Sequence, residues 1–187
     1  LFPARSIGDS IAVIKADGTN EELLLHFLRQ QKSRKDLASN SLADYVDDQD
    51  DYIGAFAVTS GHGIDSYIEA YEADHDDYNS INLKALADRF AEAFAEWAHK
   101  KVRCDLWGYS AEEDLNNDEL IKEKYQGIRP APGYPSCPDH RLKLNIWELL
   151  GVEKTINLTL TESLAMWPTA SVSGLYFAHP QSSYFQL

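Results

Sequence analysis

Hydrophobic and polar positions along this chain change period several times, and each change marks an element. Residues 9–15 alternate around Ile11 and Val13 and then meet Asp17-Gly18, which reads as a strand running into a hairpin turn. The run EELLLHFLRQQK at 21–32 fits neither period cleanly and leaves helix and strand open. IGAFAVT at 53–59 reads as a buried strand closed by Gly61 and Gly63. From about Asn79 to Arg103 the pattern is helical. Leu86, Phe90, Phe94 and Trp97 fall on one stripe there, which predicts the core-facing side. Asn116 with Glu119 predicts a capping box for a short helix ending near Tyr125. Leu142, Ile146, Leu149 and Leu150 mark another amphipathic helix, stopped at Gly151. Two strands finish the chain, at 157–162 and about 170–177. Strands and helices mix without a βα rhythm, so the fold class is α+β with a twisted antiparallel sheet flanked by helices.

One stretch resists both periods. Residues 129–140, RPAPGYPSCPDH, hold four prolines in twelve residues. Each proline lacks a donor and fixes φ, so neither a helix nor a central strand can run through them. A stiff, extended loop is expected, with many carbonyls unpartnered inside it. Arg129 opens it and Gly133-Tyr134 bends it. Such a loop suits a small ligand held by main-chain groups, with Arg129 as anchor for a carboxylate. A rigid connector between two helices is the alternative.

Composition narrows the classes. The 187 residues are 44% hydrophobic, enough for one substantial core, so residues 1–187 read as a single domain. A net charge of −13 argues against nucleic-acid binding. The basic clusters are local: Arg29, Lys32, Arg34 and Lys35, then Lys100, Lys101 and Arg103. They suit solvated helix ends or a docking patch. Cys104 and Cys137 show no CxxC spacing and suggest no disulfide framework, which points to a reducing, cytoplasmic setting. Neither a signal peptide nor an 18-residue apolar stretch is found.

The six histidines form no HxxxH or HExxH arrangement, and 74–77 (DHDD) reads as a helix boundary, so no metal is assigned. Ser60-Gly61-His62-Gly63 lacks the lysine of a phosphate loop. Ser171 and Ser173 have no nucleophile-elbow context, so no catalytic residue is assigned. Asp88 and Glu92, at i and i+4, share a polar helix face, which is a solvated acidic face unless something docks there.

The run YQGIRPAPGYPSCPDH resembles the signature of the activation module of cobalamin-dependent methionine synthase. DYIGAFAVTSG at 51–61, LKALADRFAEAFAEWAHKKVR at 83–103 and LTESLAMWPTASVSGLYFAHP at 160–180 are similar to further blocks of that family, in its order. The resemblance runs from Phe2-Pro3-Ala4 to Tyr184-Phe185. It favours a strand for the ambiguous 21–32 run. It also implies a helical extension before the Phe-Pro-Ala segment and a tail after the last strand. With no methionine at its start, the chain reads as a piece of something larger.

The resemblance implies S-adenosylmethionine as ligand. Arg129 matches the family's carboxylate-binding arginine, Asp9 its N-terminal acid, and Tyr184, beside Phe185, its late aromatic contact. Ala131, Gly133 and Tyr134 would offer main chain and one ring, and Glu123 is a further candidate near the ligand. Without the resemblance, Asp9 is a turn acid and Tyr184 a tail aromatic. Asp88 and Glu92 match acids that approach the cobalamin when modules dock. The implied activity is a methyltransferase of the full-length enzyme, which moves a methyl from methyltetrahydrofolate to homocysteine by way of cobalt. This module presents a methyl donor for the inactive cob(II) form while a flavodoxin-type partner delivers an electron. Cobalamin and zinc would be bound by other modules of the same polypeptide, so this piece should bind donor and not turn over. A standalone S-adenosylmethionine sensor or docking domain is the competing expectation.

Overall fold

The computed structural model describes residues 1–15, 19, 21–31 and 39–187. Asp17-Gly18, Lys32, Arg34 and Lys35 lie outside the described residues. A five-stranded antiparallel sheet forms the middle layer, in the order β3-β2-β1-β4-β7. Its strands are β1 (Phe2–Ile7), β2 (Ser10–Ile14), β3 (Glu22–His26), β4 (Asp51–Thr59) and β7 (Ser171–Tyr176). A separate ribbon pairs β5 (Thr159–Leu160) with β6 (Met166–Trp167). The α+β class and the antiparallel sheet agree with the sequence pattern. The ambiguous run is strand β3, because Leu23 and Leu25 pair with Val13 and Ile11 across the sheet.

Helices are α1 (Asp65–Ala73), α2 (Asp77–Lys101), α3 (Asn117–Ile121), α4 (Leu142–Leu150) and α5 (Val152–Ile156). Alternation in β4 divides its side chains between two cores. Ile53 joins Ile11, Leu25, Leu142, Ile146, Leu175 and Phe177 on the α4 face. Phe56 and Val58 join Ala95, Val102 and Tyr176 on the α2 face. Gly151 ends α4 at φ 57, the left-handed geometry expected of a helix-terminating glycine. Asn116 and Glu119 form the predicted capping box, although α3 stops at Ile121, short of Tyr125. Asp76 caps α2 through the Asn79 N–H, so 74–77 is a helix boundary. The expected strand over 157–162 shrinks to Thr159–Leu160, because Asn157 caps α5 in the left-handed region at φ 51 and the chain turns back from Thr161 toward Ala165.

The long helix corrects the expected core stripe. Leu86, Phe90, Phe94 and Trp97 are 54%, 60%, 46% and 55% exposed. The buried face carries Ser80, Ala87, Ala91, Ala95 and His99 instead. The sheet already supplies bulk on this side, in Phe56 stacked on Tyr176 at 4.6 Å. Only small helix residues leave room for the two layers to close over those rings.

Candidate functional site

The proline loop is seated by the edge of the sheet. Ile128 and Phe177 exchange backbone hydrogen bonds, each 3.0 Å, and the Leu175 N–H donates to the Pro130 carbonyl at 3.1 Å. Proline suits this position, since its missing N–H is not needed on the outer edge. Gly174 makes the approach possible: a Cβ there would lie 2.7 Å from the Pro130 oxygen and 2.8 Å from the Phe56 ring.

Beyond Pro130 the loop differs from the extended, unpartnered segment expected. Tyr134 N–H donates to Ala131, Cys137 N–H to Tyr134 and Gly133 N–H to Cys137, so the loop closes on itself in tight turns. Gly133 sits at φ 105, and a Cβ there would lie 2.3 Å from the His140 ring. No residue but glycine combines that backbone geometry with that contact.

A cavity of about 520 Å³ opens beside this loop, within the roughly 300–1,000 Å³ of small-molecule sites. Arg129, Pro130, Ala131, Tyr134, Pro135 and Ser136 line one side, and Phe56 and Val172 come from the sheet. Glu92 comes from α2, Glu123 follows α3, and Tyr184, Phe185 and Gln186 come from the final segment. That final segment is pinned across the fold. Gln30 Nε2 donates to the Gln186 carbonyl at 2.7 Å, and the Tyr45 hydroxyl to the Ser183 carbonyl at 3.3 Å.

Arg129 is the most tightly held of these residues. Its Nη1 donates to the Tyr125 hydroxyl at 2.8 Å and approaches His99 Nδ1 at 3.3 Å. Its Nη2 lies 2.7 Å from Glu96 Oε2. Nε has no hydrogen-bond partner among the described residues, whereas Nη2 already faces Glu96. A carboxylate gripped by two parallel bonds on the Nε/Nη2 edge would take Nε outright and share Nη2 with Glu96.

The protonation states beneath Arg129 are fixed by burial. His99 is fully buried, and burial, then the Arg103 and Arg129 charges, push its pKa down to about 2. The imidazole is therefore neutral, with Nδ1 accepting from Arg129 and Nε2 facing the Tyr109 hydroxyl at 3.5 Å. Burial likewise pushes the Tyr125 phenol up to about 12, so it stays protonated.

A family model described as "Vitamin B12 dependent methionine synthase, activation domain" matches residues 1–187. The chain belongs to this family. A solved structure, the crystal structure of the MetH reactivation domain bound to AdoHcy, is 55% identical and matches with a TM-score of 0.93. The match covers 99% of this chain and 58% of that chain, so this chain spans under two thirds of that relative.

Within this family member, the structure brings together Arg129, Ala131, Tyr134, Tyr184 and Phe185, with Glu92 and Glu123. Gly133 turns the loop and uses its N–H within it. Asp9 is not brought to the cavity. It lies in the β1–β2 turn, where Arg29 holds it at 2.6 Å while also gripping Asp44. That ion pair engages Oδ1, and the Asp9 carboxylate stays half exposed. Asp88 sits one turn from Glu92, in an adjoining groove that shares Glu92 and Val172 with the cavity. Sequence reasoning missed Glu96, His99 and Tyr125. The available signals were Tyr125, four residues before Arg129, and Glu96 and His99 on the inner side of a helix whose apolar stripe pointed elsewhere. Among the described residues no cluster of three or more His, Cys, Asp or Glu could hold a metal. No described helix is long and apolar enough to cross a membrane.

Proposed function

We propose that this chain binds S-adenosylmethionine beside Arg129 and presents it for reductive remethylation of cob(II)alamin in a methionine synthase. Arg129, with its Nε unpartnered among the described residues and its side chain lining a cavity of small-molecule size, carries the reading. Support comes from the family to which the chain belongs and from the 55% identical MetH domain bound to AdoHcy.

The residues present suit such a ligand. Arg129 would take the carboxylate by two bonds, and Glu92 and Glu123 supply negative charge for the ammonium. Ala131, Tyr134, Tyr184, Phe185 and Phe56 offer main chain and rings for the adenosine. S-adenosylmethionine supplies a methyl group on a cationic sulfur, which departs as a neutral thioether. The acceptor in this reading is cobalt held by another module, so the chain's part is to bind, orient and exclude water rather than to move a proton. Asp88 and Glu92, in the adjoining groove, would face the cobalamin module, and a flavodoxin-type partner would supply the electron. Methyl transfer then belongs to the whole protein, inside the cell's cytoplasm, and this chain alone binds without turnover.

Calorimetric titration of the folded chain with S-adenosylmethionine and S-adenosylhomocysteine, without metal, tests this. Saturable binding of both is expected. A flat titration overturns it.

A further inference from the structure

Below the cavity lies a set of buried groups that the proposed function does not use. Arg103 is fully buried and forms an ion pair with the almost equally buried Glu113, at 2.6 and 2.8 Å. Its side chain leaves α2 where the helix passes into a π-helical turn over Val102–Leu106, which re-aims it inward. The guanidinium carbon lies over the Tyr125 ring, 3.8 Å from its centroid. The hydroxyl at the other end of that ring accepts the hydrogen bond from Arg129 Nη1. His99 closes the side of the ring, edge-on at 5.1 Å, and itself stacks on Tyr176 at 5.0 Å.

A buried ion pair is a costly way to fill a core, and a pair of apolar residues often serves stability as well. Here Glu113 fixes the Arg103 guanidinium over one face of the Tyr125 ring. A lysine could not reproduce it, since its ammonium is a point charge on a flexible stem. The phenol oxygen has no other hydrogen-bond partner among the described residues, and it stands where the ring is placed, against Arg103 on one face and His99 at one side.

We propose that Tyr125 and, through it, Arg103 are positioning residues that aim the Nε/Nη2 edge of Arg129 into the cavity. Glu96 on Nη2 and Tyr125 on Nη1 hold the fork from two sides and leave Nε for ligand. Arg103 touches no ligand; its effect on binding passes through the ring. The inference rests on the reading of Arg129 as a carboxylate anchor.

The test uses two ligands that differ at the amino-acid end: S-adenosylhomocysteine, which has a carboxylate, and 5′-methylthioadenosine, which has none. Tyr125→Phe keeps the ring and deletes the acceptor. It should weaken S-adenosylhomocysteine about 3- to 10-fold, the scale of one hydrogen bond, and leave methylthioadenosine within about twofold. In an Arg129→Ala background the same change should have no further effect, because the coupling runs through Arg129. Arg103→Lys should reproduce the selective loss; if it fails to fold, the Tyr125→Phe cycle decides alone. Equal loss for both ligands, unchanged S-adenosylhomocysteine affinity, or additivity with Arg129→Ala overturns the proposal. If the unsubstituted chain binds neither ligand, the donor-binding reading falls and this inference falls with it.

Discussion

The backbone N–H of Arg129 donates to the phenolic oxygen of Tyr184, 3.1 Å away across 55 residues of sequence. One hydrogen bond thus joins the start of the proline loop to the final segment, and both line the same cavity. Tyr184→Phe should keep the ring and leave the amide unpartnered, weakening S-adenosylhomocysteine by about 1 kcal/mol. Calorimetry checks this, and unchanged affinity would show that the bond serves the loop and not the ligand.

Arg129→Ala should weaken binding by roughly 2–3 kcal/mol, as a charge-assisted pair loses one partner. Arg129→Lys should recover little, because the two-pronged edge is lost. Normal binding by a folded Arg129→Ala chain would return the loop to the role of connector.

The two helix acids should behave differently. Glu92 lines the cavity, whereas Asp88 lines only the adjoining grooves. Asp88→Asn should change donor affinity by less than about 0.5 kcal/mol, and Glu92→Gln by more. Both should lower cob(II)alamin reactivation by the whole protein if this face meets the corrin. Equal donor affinities for the two variants would contradict the division.

Stability should separate the two faces of α2. Ala91 is 1% exposed against the sheet, so Ala91→Leu should cost about 1–3 kcal/mol through overpacking. Phe90 points outward, and Phe90→Ser should stay within about 0.5 kcal/mol. Urea midpoints give both values, and a costly Phe90→Ser would restore the apolar stripe to the core.

Acid should act through His99. The unfolded imidazole titrates near 6.5 and the folded one near 2, so below 6.5 the unfolded state takes up a proton that the folded state refuses. The stability held by neutral His99 is thus complete above 6.5 and declines as pH falls toward 2. The slope is at most about 1.4 kcal/mol per pH unit. Urea unfolding at about pH 7.5 and about pH 5.5 should show this loss, and His99→Gln should flatten it. An identical slope in the variant would place the loss on other groups.

Much of this protein was determined by the sequence alone, wherever the cause is local. Gly151 ends α4 because only glycine enters the left-handed region freely, and Asn116 with Glu119 caps α3 within four residues. The proline run excluded helix and strand by covalent geometry, and Arg129 stood out within it. Several blocks in order carried the family.

What the tertiary structure decided depends on distant neighbours. The α2 stripe has helical period, but period does not say which face meets a partner. Phe56 and Tyr176, from strands far away in sequence, filled that space and selected the alanines. Asp9 pairs with Arg29 through one oxygen, a contact that exists only once β2 and β3 lie side by side. The orientation of Arg129 is likewise set by Glu96, Tyr125 and His99, none within its own loop. A charge pattern shows which groups could pair; only the packed fold decides which are near enough to do so.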